Sequence, residues 1–239
     1  LLYGDANPSG KLAESYPRAL SDTPAYPYRK LRGNCAEYRE SIYVGYRYYD
    51  KAKVPLRYPF GFGLSYTRFA YEDLRLSEAG VRFRLRNTGS RAGAEIAELY
   101  ICAAESETFR PEKELKGFAK IFLKAGEERE VFIPFDDKSF RVFDSVANRF
   151  LEESGRYRIL IGASAADIRL NGELVRAGEK LGRPDEKKRL PHYFSGAAQQ
   201  IGRAEFERLL GRKLERHPIA GELLRGDALH ELRRSRGLL

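Results

Sequence analysis

The chain has 239 residues, enough to bury one substantial core or one domain with flanks. Apolar residues make up 42% and charged residues 32%, a globular balance that excludes a disordered chain, and no run approaches the ~18 apolar residues of a membrane helix. The net charge of +9 raises nucleic acid as a partner, but Lys and Arg are interleaved with acids except at residues 187–189 and 233–236, so the charge reads as solvated surface.

No Met occurs anywhere, and the opening Leu1-Leu2-Tyr3-Gly4 shows no charged leader region. We therefore expect a piece of a longer, cytoplasmic product. Cys35 and Cys102 are far apart and fit no metal-ligand spacing. Two free thiols in a reducing compartment is the first reading, and a single disulfide the second.

Residues 1–25 carry Gly, Pro, Asn and Ser around a short apolar start, which reads as a strand end leaving another domain. Residues 26–68 are crowded with Tyr and Phe, from Tyr26 through Tyr43, Tyr46, Tyr48 and Tyr49 to Tyr66. A flexible linker is poor in such residues, so this segment predicts an ordered connector packed between domains.

Residues 69–170 predict a mainly β fold. Val81–Arg86 alternates apolar residues with Arg, Val131, Ile133 and Phe135 alternate again, and so do Tyr157, Ile159 and Ile161. Ile96–Cys102 is apolar apart from Glu98, as a more buried strand is. Turns are marked at 87–89, 124–127, 136–137 and 154–155. Short alternating strands at this spacing predict an antiparallel sandwich of the immunoglobulin or fibronectin type III kind, with Phe83, Leu85, Tyr100, Ile133, Ile159 and Ile161 in its core.

Residues 171–239 predict a short, partly helical extension. Phe206, Leu209, Leu210 and Leu214 recur at helical spacing over 204–216, weakened by Gly211, and Asp227 predicts the cap of a second helix. His192, His217 and His230 all lie here, none with a second metal ligand at a useful spacing, and no metal or cofactor is expected.

Four motifs follow one another. Gly4-Asp5-Ala6-Asn7-Pro8-Ser9-Gly10-Lys11-Leu12-Ala13-Glu14-Ser15-Tyr16-Pro17 is a turn-forming run, in which Pro8 fixes φ, Gly10 permits a positive φ, and Asn7 and Ser9 bond to local backbone. Next come Tyr38-Arg39-Glu40-Ser41-Ile42-Tyr43-Val44-Gly45-Tyr46-Arg47-Tyr48-Tyr49-Asp50 and Tyr58-Pro59-Phe60-Gly61-Phe62-Gly63-Leu64-Ser65-Tyr66-Thr67-Arg68-Phe69. The fourth is Arg110-Pro111-Glu112-Lys113-Glu114-Leu115-Lys116-Gly117-Phe118. In this order they resemble the C-terminal part of family 3 glycoside hydrolases of the β-glucosidase type. The first resembles the end of the α/β sandwich domain, and the last the fibronectin type III-like domain. The segments 192–195 and 206–212 are similar to C-terminal extensions of some bacterial members.

The resemblance implies a retaining hydrolase of terminal β-glucosides or related oligosaccharides, with two carboxylates about 5 Å apart. It places the nucleophile on an N-terminal barrel and the acid/base in the α/β domain, both upstream of Leu1, so no catalytic residue is expected here. Asp5, Glu14, Glu37, Glu40 and Asp50 are expected in turns, caps or ion pairs, with Glu40 facing Arg47 and Asp50 capping the turn before Lys51. Tyr43 and Tyr46 are candidates for substrate contact at the cleft rim, since aromatic rings stack on sugars, although such rings more often fill cores. The partners implied are the sugar, the barrel and the α/β domain. The rival reading is a free-standing sandwich module that binds carbohydrate or protein, against which stand residues 1–25.

Overall fold

The computed structural model describes residues 1–28, 36–183 and 185–214. Cys35, His217, His230, the helix expected from Asp227 and the basic run 233–236 lie outside the described residues. Strand β1 (Tyr16–Pro17) opens the chain, and helix α1 (Tyr46–Lys51) and strand β2 (Leu56–Tyr58) follow. Then come β3 (Phe69–Ser77), β4 (Gly80–Asn87), β5 (Gly93–Ala103), β6 (Glu114–Leu123) and β7 (Glu128–Pro134). After these lie β8 (Arg141–Asp144), β9 (Arg149–Glu152), β10 (Gly155–Ser164) and β11 (Asp167–Arg176). Helices α2 (Glu186–Arg189), α3 (Pro191–Ser195) and α4 (Arg203–Leu210) end the described chain.

Two antiparallel sheets face each other, one ordered β11-β10-β5-β6 and the other β3-β4-β7. The fold is thus the expected mainly β sandwich, and β11 carries it to Arg176, past residue 170. The alternation in β4 works as read: Val81, Phe83 and Leu85 are buried while Arg82, Arg84 and Arg86 point outward. With Leu99, Ile101, Ile121, Val131, Ile133, Tyr157, Ile159 and Ile161 they form the core between the sheets. Ile133 is 3% exposed, and replacing it with Ala should cost about 2–5 kcal/mol in equilibrium urea unfolding, because the rigid sheets cannot close the gap.

Tyr100 corrects the expected core. It is fully buried, but on the other face of β5, in a second cluster with Tyr46, Leu160 and Ala165. The register pairs Tyr100 with Leu160 and Leu99 with Ile161, so adjacent residues of β5 serve opposite faces. A strand covered on both sides is apolar throughout, and its sequence does not say which face is which.

The connector contains a helix that its composition hides. Tyr is a weak helix former, yet α1 buries Tyr46, Tyr48 and Tyr49, so packing rather than propensity holds it. The tail covers it. Leu190, Tyr193, Ala198, Ile201 and Phe206 form a third cluster with Tyr43, Tyr48 and Tyr49. Helix α4 stops at Gly211, whose φ of +67° ends the expected longer helix in a left-handed cap.

Candidate functional site

The motifs that stand apart in sequence are brought together along β5, from Ala92 just before it and Glu95 near its start to Tyr100 near its end. Asn7 is the first link. Its Oδ1 accepts the Tyr66 N–H at 2.8 Å, and its Nδ2 donates to Ser65 Oγ at 3.1 Å and to the Ala92 carbonyl at 3.3 Å. These are long-range bonds, not the local turn expected, and the positive φ in this run belongs to Gly4 rather than Gly10. Leu12 N–H donates to Phe62 O and Gly61 N–H to Leu12 O, which zips the first motif to the third. Lys11 drives deeper: its ammonium pairs with Glu95 and donates to the carbonyls of Ile96, at 2.7 Å, and Ala163.

The second motif docks on the fourth. The Leu115 N–H donates to the Tyr46 hydroxyl at 2.8 Å, and Lys113 pairs with Asp50 at 2.7 Å. Asp50 lies in α1 rather than capping a turn, and its burial raises its pKa against the pull of Lys113. Arg110 is buried between Glu114 at 3.4 Å and Glu153 at 3.8 Å, 5.9 Å from the centre of the Tyr157 ring. The tail ties down the rest: Tyr193 donates to Arg39 O at 2.9 Å and Tyr28 to Ala198 O at 2.7 Å.

Tyr43 is fully buried, with its hydroxyl donating to the Tyr193 carbonyl, and Tyr46 is 6% exposed with its ring 5.1 Å from Phe60. Both rings are packed, Tyr43 in the cluster beneath the tail and Tyr46 against Phe60 and Tyr100. Among the other expected carboxylates, Asp5 and Glu14 are exposed and Glu37 pairs with Arg39. Glu40 forms no ion pair with Arg47, whose guanidinium lies 5.3 Å from the Tyr46 ring centre instead. His192 pairs with Glu205 at 2.6 Å across α3 and α4. Among the described residues, no group of three His, Cys, Asp or Glu can hold a metal ion. Cys102 is a buried free thiol.

Glu98 is the residue that sequence reasoning noticed without placing. It is 4% exposed on the outer face of β5, accepts the Tyr100 hydroxyl at 2.6 Å, and lies against Gly61. Gly61 has φ +78°, and a Cβ there would collide with the carboxylate, so two independent constraints exclude a side chain. Burial raises the Glu98 pKa more than the Tyr100 hydrogen bond lowers it. The folded state therefore holds a proton that the unfolded state has released. Its contribution is largest below the unfolded value of about 4.3 and declines as pH rises from there through the folded pKa. Glu98→Gln removes this penalty, so the stability difference between variant and wild type should shift in the variant's favour over that window. A difference that stays flat from pH 4 to 7 in denaturant titrations would contradict it.

The class so defined is a sandwich of the fibronectin type III kind braced by an upstream connector, and the profile of the Fibronectin type III-like domain matches residues 95–165. The chain is 48% identical over 177 residues to the probable β-glucosidase K of Emericella nidulans, a match that covers 73% of this chain and 21% of that protein. It is 42% identical over 189 residues to the thermostable β-glucosidase B of Acetivibrio thermocellus, covering 76% and 25%. The crystal structure of a GH3 β-glucosidase from Bifidobacterium adolescentis superposes with a TM-score of 0.72 at 34% identity, over 75% of this chain and 27% of that one. The chain thus belongs to glycoside hydrolase family 3 and corresponds to the C-terminal part that carries the fibronectin type III-like domain. It spans between a fifth and a quarter of the length of these curated relatives. No helix among the described residues is long and apolar enough to cross a membrane.

Proposed function

We propose that the chain is the bracing, non-catalytic part of a retaining β-glucosidase that hydrolyses terminal β-D-glucosides, and that the two reacting carboxylates lie in a barrel and an α/β domain that precede it. The likeness to β-glucosidases along one fifth of their length is the observation that carries this reading. Its support in the fold is the distribution of exposed apolar side chains. Of the thirteen large apolar side chains more than half exposed among the described residues, eight (Leu1, Leu2, Tyr3, Leu20, Tyr38, Val44, Leu64 and Tyr66) lie in the first 66 residues, beside the motifs that the family shares, and five (Phe118, Phe122, Val146, Phe150 and Val175) lie on the sandwich and its hairpins. Large exposed apolar patches on a protein mark an interaction surface.

In this reading Tyr43 and Tyr46 serve the cleft rim from beneath. They hold the loop that presents Ile42 and Val44, rather than touching sugar themselves. A reducing, cytoplasmic setting accords with the free thiol of Cys102.

The test is reconstitution. The isolated chain should leave an aryl β-glucoside unhydrolysed. Mixed with the separately expressed barrel and α/β part, it should co-elute with that part, and glucosidase activity should appear. Turnover by the isolated chain that a substitution within residues 1–214 abolishes would overturn the reading. So would a failure of the two parts to associate.

A further inference from the structure

We propose that the hollow beneath the Glu40–Arg47 loop receives a cationic side chain, a guanidinium by its chemistry, carried by the barrel or α/β part of the parent enzyme. The inference rests on the reading that such a partner exists. The hollow has a volume of about 500 Å³ and is walled by residues 13–15 of the first motif, residues 23–25, the loop itself and Phe60.

Two polar atoms in its lining are buried and bonded to nothing: the hydroxyl of Ser15 and Oε2 of Glu40. Glu40 is 7% exposed, so its carboxylate is removed from most of its water. No Lys, Arg or His among the described residues lies within ion-pair distance of it, since Arg39 is engaged with Glu37 and Arg47 with the Tyr46 ring. A buried carboxylate oxygen without a donor is costly, and a donor brought by a partner would offset that cost.

The occupant follows from what is unsatisfied. Glu40 is acceptor-only when ionised, and Ser15 has acceptor capacity free. A planar guanidinium offers five donors in a fan and a full positive charge, so it can answer both atoms at once and neutralise the acid. A sugar hydroxyl would donate a bond but leave the charge unbalanced. The apolar walls at Pro24, Val44 and Phe60 suit the methylene stem of such a side chain. The exposed carboxylate of Glu14 adds negative charge at the same hollow, where Arg47, its guanidinium held over the Tyr46 ring, is the one cationic side chain among the described lining residues, so the two acids outnumber it.

Two measurements test this. In the first, wild type, Glu40→Gln and Glu14→Gln are each titrated with the separately expressed barrel and α/β part, after thermal melts confirm that the variants fold. Glu40→Gln should weaken association at least ~30-fold, as loss of one partner of a buried charge pair does, and exposed Glu14→Gln should change it only a few-fold. Binding by Glu40→Gln as tight as wild type overturns the proposal while leaving the proposed function standing. No association by wild type overturns both. In the second, the isolated wild-type chain is titrated with methylguanidinium and followed through the backbone amide resonances of residues 13–15 and 44–46. Saturable shifts are expected, and their loss in Glu40→Gln. Shifts with glucose or a divalent cation, and none with methylguanidinium, would overturn the assignment even if the variant failed to fold.

Discussion

Lys11→Met should lower the unfolding free energy by about 3–5 kcal/mol, the effect expected when one member of a buried ion pair is removed. The Lys11 and Glu95 side chains are each 12% exposed, and the ammonium also bonds the carbonyls of Ile96 and Ala163. Methionine fills the same stem volume but takes the ammonium from two carbonyls and from a carboxylate that keeps the Ile96 N–H, and the cost of that uncompensated charge falls on the variant. Adding Glu95→Gln should restore part of the loss, because the uncompensated charge is then gone. Denaturant unfolding of the two single variants and the double variant measures the coupling. A single-variant loss below about 1 kcal/mol would show that water reaches this pair freely. The lysine matters beyond its own energy, because it anchors the first motif between the start of β5 and the end of β10.

Tyr193→Ala should cost about 3–5 kcal/mol, as large-to-small changes of buried aromatics do, and lower Tm by on the order of 10 °C. The ring is fully buried, centred 5.0 Å from that of Phe109, and its hydroxyl donates to the Arg39 carbonyl. Its own carbonyl accepts the Tyr43 hydroxyl. The side chain is thus the point at which the tail grips the connector, and its loss should loosen α3 and α4 together. Limited proteolysis should then cut within residues 185–214 well before the sandwich is attacked. A variant that melts at the wild-type temperature would mean that the connector tyrosines pack without the tail. In that case the tail adds nothing to the stability of the part it covers.

Much of the sandwich was legible because a half-buried strand writes its orientation in a period of two. Val81, Phe83 and Leu85 point inward because Arg82, Arg84 and Arg86 cannot. Tyr100 was misplaced for the same physical reason in reverse: β5 is covered on both faces, so its apolar run has no period to read. Helix α1 was missed because its tyrosines carry no helical preference of their own, and its burial depends on β6 and on the tail. The resemblance among the four motifs identified the family, but it left open which atoms join them.

The amino-acid order alone determined β4, β5, β7 and β10, the turns beside them, the helical character of the tail and the membership of the family, all of which depend on neighbours a few residues away. Only the tertiary structure decided that Asn7 bonds across 58 and 85 residues, that the tail covers Tyr43, and that Oε2 of Glu40 is buried with no hydrogen-bond partner among the described residues. Such contacts pair segments whose separation in sequence leaves no local periodicity. Their energies come from desolvation and geometry that exist only once the segments are side by side.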